Sequence, residues 1–184
     1  MGGYTATHAT MKLNQRIIKM INEKRTVIIR DVELYWANLN PESPKAPFGT
    51  MQWDVQIRTR DKSAAEAMQK EYYLTMKKDS DDAGDYWKAN IKRKATKNDG
   101  SKNTPPDVVN GNKQAIDGNT IGNGSKGNIM LFQYPYEVAG RKGVASMLSK
   151  VQVVDLKVYQ PDSGTDFEVV EGSVDTSSGE AVDF

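Results

Sequence analysis

The chain has 184 residues, 38% hydrophobic and 27% charged, with no cysteine and a single histidine, His8. That length suits one domain with a sizeable core and some loose ends better than two full domains, and the missing cysteines exclude disulfides, thiol catalysis and cysteine-based zinc sites. No window is apolar enough for a membrane span and residues 1–10 have no signal-peptide core, so the expected protein is soluble and cytosolic.

The formal net charge of +1 hides an asymmetry: all 25 Lys and Arg precede Val158 against 17 of the 24 acids, so residues 1–157 carry +8 and the remainder −7. Such a division points to an anionic partner for the body and a separate role, or simple solubilisation, for the tail.

Residues 1–11 are small and polar, and a flexible N-terminus is expected there. Residues 12–24 place Leu13, Ile17, Met20 and Ile21 at helical spacing, which predicts a short amphipathic helix, either over a barrel end or as a basic arm. Residues 26–39 are β-branched and aromatic and predict a long strand with Val32, Leu34 and Trp36 facing the core and Glu33 and Tyr35 outside. After Pro41, Pro44 and Pro47, residues 51–60 alternate strictly: Met51, Trp53, Val55 and Ile57 inward, Arg58 and Arg60 on the other face at the strand end.

Ser63 and Glu66 have capping-box spacing, and Ala65, Met68, Tyr72 and Met76 form a helical stripe up to Lys77. Residues 79–85, DSDDAGD, begin like a calcium loop, but Ala83 and Asn90 occupy positions that need oxygen ligands, which leaves a solvated turn. A strand over residues 85–96 would point Trp87, Ala89 and Ile91 inward and Tyr86, Lys88, Lys92 and Lys94 outward, with Arg93 near its end. Residues 97–127 are rich in Asn, Gly, Lys and Pro and predict a long polar loop with room for one short strand. GNGSKG within it lacks the glycine and lysine spacing of a phosphate loop.

Two strands, residues 129–137 and 144–159, joined by the basic turn AGRKG, then make a hairpin. Met130, Phe132, Tyr134 and Tyr136 share one face, framed by Lys126, Arg141 and Lys142. Rings stack on unpaired bases while Lys and Arg offset phosphates, the chemistry that single-stranded nucleic acid requires; the same rings would also suit a barrel core. The alternation changes phase near Lys150 and Val151, which predicts a β-bulge. Residues 161–184 form an acidic tail including Asp175, Glu180 and Asp183 and ending on Phe184.

About five strands, one internal helix and long loops predict a mainly β protein: a five-stranded OB-fold barrel over residues 12–160 with an N-terminal helix. The succession IGNGSKGNIMLF, AGRKGVASML, VQVVDLKVY and an acidic tail ending VDF resembles the single-stranded DNA-binding proteins of tailed bacteriophages, of the short-tailed-phage gene 2.5 type, most over residues 121–159 and less over 27–60. The resemblance implies an OB barrel, sequence-tolerant binding of single-stranded DNA in phage replication or recombination, a homodimer, and a tail that contacts replication proteins such as the polymerase or helicase-primase. It implies roles for Lys126, Arg141, Lys142 and Phe184 and a location in the cytoplasm of the infected bacterial host; the sequence offers no nucleophile–base pair, metal cluster or phosphate loop, so no enzymatic activity, cofactor or metal is expected. An RNA-binding or annealing protein and a virion structural β-protein are the alternatives.

Overall fold

The computed structural model describes residues 23–47 and 49–160. The acidic tail, and all but the last two positions of the helix expected over residues 12–24, lie outside the described residues. Seven strands form one sheet: β1 (Arg25–Asn38), β2 (Gln52–Thr59), β3 (Lys77–Asp81), β4 (Gly84–Lys94), β5 (Asp107–Asn110), β6 (Ser125–Val138) and β7 (Arg141–Asp155), with α1 (Lys62–Tyr72) between β2 and β3. The order is β3-β4-β2-β1-β6-β7-β5, and the sheet is mixed because β5 runs parallel to β7. The mainly β, OB-like expectation holds at this level. The closed five-stranded barrel does not: the described residues form seven strands, with no backbone ladder joining β4 to β7.

β1 bends so as to serve two partners. It pairs with β6 from Arg25 to Leu34 and with β2 from Glu33 to Asn38, with register shifts between Ile29 and Val32 and between Tyr35 and Asn38. Asp31 and Trp36, at φ of 55° and 51°, are left-handed at these irregularities. Each of their N–H groups donates to an asparagine outside the strand, Asp31 to Asn128 Oδ1 (3.1 Å) and Trp36 to Asn123 Oδ1 (2.8 Å), so neither donor is orphaned by the bend. The second bend overturns one expectation. Val32 and Leu34 are buried, but Trp36 is 66% exposed, because the extra residue reverses the alternation that would have turned it inward.

β2 buries Trp53, Val55 and Ile57 as its alternation requires, whereas Met51, just before the strand, is exposed. The helix is capped by Asp61, whose carboxylate accepts from the Ser63 N–H at 2.7 Å, and not by Ser63. It stops at Tyr72 because Tyr73 is left-handed, so Met76 is buried from the following connection and not from the helix. The last helical carbonyls need donors. Arg25 Nη2 reaches the Glu71 carbonyl at 2.6 Å, and the fully buried Gln133 donates to that of Tyr72 at 2.5 Å while accepting from Arg25 Nε. Residues 77–85 are a strand and hairpin turn onto β4, so the acidic run expected as a turn alone contributes most of β3.

The loop expected over residues 97–127 contains β5, a 3-10 turn at Gly118–Thr120 and the start of β6. β6 and β7 are joined by Ala139 and Gly140 alone, both left-handed, as a type I′ turn requires; Arg141 to Gly143, expected in the turn, belong to β7. Extra residues in β7 at Ser149 and Val154 place its bulges beside and beyond the predicted phase change. β6 itself alternates without a break: Ile129, Leu131 and Gln133 are fully buried, while Met130, Phe132, Tyr134 and Tyr136 take the other face.

β4 and β7 approach without pairing, and Arg93 spans the gap. Its guanidinium donates to the Leu148 carbonyl (3.3 Å) and to the Thr104 carbonyl (2.5 Å) and hydroxyl (2.9 Å).

Gly127 sits where three strands meet: a Cβ there would lie 2.4 Å from the Gln152 carbonyl oxygen and 3.1 Å from Leu34 Cδ1. Gly127→Ala should therefore lower unfolding stability by about 1–3 kcal/mol in urea. Gly111→Ala, with open space around it, should change it by no more than about 0.5 kcal/mol. Equal midpoints for the two variants would contradict this packing.

Candidate nucleic-acid interface

The outer face of β6 supplies the centre of the site. Phe132 and Tyr134, two residues apart on one face, have ring centroids 6.1 Å apart with planes tilted by 34°. They form one wall of a groove of about 730 Å³ whose other side carries Lys92 and Lys94 from β4 and Lys97 just beyond it; Lys24 and Ser146 also contribute. The groove lies where the end of β4 approaches β7 and carries Ala145 and Met147 of β7 in its lining. Tyr134 is 37% exposed and Phe132 half-buried, so ring surface is available in the groove.

Ion pairing separates the cations. Among the described residues, carboxylates lie within 4 Å of Arg60, Lys62, Lys78, Lys88, Lys142 and Lys150, and of none of Lys24, Lys92, Lys94 or Lys97. Four lysines that form no ion pair among the described residues, although Lys92 is opposite Asp54 in register and Lys97 is near Asp99, stand beside two rings and make a positive, stackable surface.

Arg58, Arg60, Tyr86 and Lys88 form a separate cluster on the outer side of β2 and β4. The Arg58 guanidinium lies 3.7 Å from the Tyr35 ring centroid and 4.5 Å from that of Tyr86, with Arg60 at 5.6 Å from Tyr86. Tyr86 is only 6% exposed: the outer position expected for it is correct, but cations cover its ring. Lys88 bonds Asp79, and Arg60 bonds Asp81 at 2.8 Å. The Lys88 hydrogen bond, with help from the Ser80 N–H, holds the Asp79 carboxyl below the ordinary range. Arg60 does the same for Asp81, which in turn raises the Arg60 guanidinium. These cations are already engaged by acids of β3.

Solved structures of phage single-stranded DNA-binding proteins match the chain, each at a TM-score below 0.5. The single-stranded DNA-binding protein from bacteriophage Enc34 in complex with ssDNA matches with a TM-score of 0.49 and 14% identity over 76% of this chain and 89% of that one. The uncomplexed Enc34 protein matches at 0.49 and 17% over 83% and 88%, and gp2.5, a single-stranded DNA-binding protein encoded by bacteriophage T7, at 0.46 and 20% over 84% and 100%. No family model and no curated protein sequence matches the chain.

The remaining candidates lie apart. Lys126 is exposed at the start of β6, flanked in register by Glu33 and Asp155; six residues before Phe132, it is about 20 Å away along the strand. Tyr136, 45% exposed, lies over Gly143, where a Cβ would come within 2.7 Å of its ring. Lys142 pairs with Glu137 at 3.6 Å, and Arg141 is placed here by its backbone alone, opposite Val138. Arg93 does not line the groove; it bonds Thr104 and Leu148 between β4 and β7, its guanidinium lowered by burial and partly restored by Asp107. Asp175, Glu180, Asp183 and Phe184 lie outside the described residues.

Lys24, Lys97 and Ser146 were missed as candidates. Only the curling of the sheet, which brings the end of β4 against β7, gathers them, and no local pattern encodes that approach.

Opposite effects are expected from neighbouring substitutions. Leu131→Ala, in the core, should cost about 2–5 kcal/mol of stability. Phe132→Ala and Tyr134→Ala should each leave the melting temperature close to wild type and weaken oligonucleotide binding by about 1–3 kcal/mol, read by thermal melting and anisotropy on the same samples. A large melting loss for both aromatic variants with unchanged binding would assign the face wrongly.

Proposed function

We propose that the chain is a non-enzymatic, sequence-independent single-stranded DNA-binding protein of phage replication or recombination. The observation that supports this best is the pairing of Phe132 and Tyr134 with Lys24, Lys92, Lys94 and Lys97 in one groove. Stacking is tolerant of sequence because every base has a π face, and lysine reads phosphate as a point charge; neither needs the stacked bases of a duplex.

The acidic tail fits this reading as an element that competes for the groove. Seven carboxylates tethered to a +8 body act at high effective concentration on the same lysines as phosphate does. Displacement by DNA would release Phe184 to anchor on a replication protein, the polymerase or helicase-primase being the partners that the sequence resemblance implies. The same resemblance implies a homodimer acting in the cytoplasm of the infected host.

Anisotropy titrations of labelled oligo-dT, the matching duplex and an RNA of equal length test the proposal. Oligo-dT should bind tightest. With four lysines each offsetting one phosphate, log K should fall against log salt with a slope near −3, from about −0.7 per phosphate for single strands. Tighter binding to RNA would favour the RNA-binding alternative, and a flat salt response would contradict the lysine groove.

A further inference from the structure

A second aromatic pocket lies where β1 ends. Trp36 and Tyr159, 66% and 57% exposed, share a cavity of about 460 Å³ with Lys45, Asn119, Ile121 and Asn123. Regular alternation would have buried Trp36 beside Leu34. Instead its backbone is left-handed, a strained conformation for a bulky residue, and the Asn123 side chain secures it by accepting the Trp36 N–H. The bend leaves the indole facing solvent.

The chemistry around the ring is selective. Asn123 accepts the Trp36 N–H with its carbonyl and keeps its NH2 group as a donor; the Asn119 side-chain amide, as distinct from its backbone N–H, which donates to Asp117, and the Lys45 ammonium have no partner among the described residues. Flat rings, amides suited to the edge of a base and one ammonium match a nucleobase and its phosphate; a purely apolar occupant would leave the amides and the cation without partners.

The pocket is also close to the first groove. Asn38, on its rim, is opposite Asp54, which is opposite Lys92 of the groove. Two ladder steps of about 4.8 Å make roughly 10 Å between them. Asp54 itself lines the pocket; its carboxylate accepts from Asn38 Nδ2 at 3.1 Å and Gln52 Nε2 at 3.0 Å, which offsets part of its repulsion for a phosphate.

We propose that this pocket holds one unpaired nucleobase stacked on Trp36, with its phosphate near Lys45, and that it continues the single-strand path beyond Lys92. The inference rests on the function proposed above. It is tested on the full chain with labelled oligo-dT, using Trp36→Gly, which removes the ring while tolerating the left-handed backbone, and Trp36→Phe, which retains a ring.

Trp36→Gly should melt no lower than wild type and bind oligo-dT about 5- to 150-fold more weakly, while Trp36→Phe retains most of the affinity. Oligo-dT should quench wild-type tryptophan emission, and this quenching should largely vanish in Trp36→Phe, since Trp53 is buried and Trp87 packs against the core. Wild-type affinity in Trp36→Gly, with Phe132→Ala still weakened, would overturn the pocket and leave the groove standing. No binding of oligo-dT by the wild type at low salt would overturn both. Trp36 emission that responds to deletion of residues 161–184 but not to oligo-dT would assign the pocket to the chain's own tail and overturn the proposal.

Discussion

The uninterrupted alternation of β6 is the constraint on which the rest of the structure depends. The strand pairs with β1 on one side and β7 on the other, so its inward residues, Ile129, Leu131 and Gln133, fix the core, and its outward residues must form a surface. A slip of one residue would exchange the two sets. Gln133 resists that slip, because it is the buried donor that completes the carboxyl end of α1 while also bonding Ser146. The same alternation that packs the core therefore presents the aromatic rings.

Around this strand the neighbours deform. β1 takes two left-handed residues and β7 two extra ones, and together these bends curl the sheet until β4 comes alongside β7. Arg93 spans the remaining gap through carbonyls instead of a ladder. The gap lets lysines of β4 face the rings of β6 across a groove. The acids of β3 engage Arg60, just past the end of β2, and Lys88 of β4, so the lysines that form no ion pair among the described residues stand at the groove end.

Much of this was legible in the sequence where a short period governs. The faces of β2, β4 and β6 followed from residues two apart, and Trp53 in the core with Phe132 and Tyr134 outside is the direct result. Legibility failed where one residue breaks the period or where distant strands meet. Trp36 looked like a core residue because nothing in YWAN reveals the bulge; the side chain that secures it, Asn123, is far away in sequence. Tyr86 was placed on the correct face, but the arginines covering it come from another strand. β3 was hidden because its acids resemble a turn until Asp79 meets Lys88 and Asp81 meets Arg60. Lys24 and Lys97 have no local signature; only the curl brings them to the groove.

The proposed binding mode lays an unpaired strand against the outer face of β6 beside the lysines of β4. Photo-crosslinking of the full-length protein to an oligonucleotide carrying 5-iodouracil, with the attached peptides mapped by mass spectrometry, tests it most directly. The account predicts adducts on Phe132 or Tyr134 that disappear at high salt. Efficient crosslinking confined to peptides outside β6 and the end of β4 would contradict it.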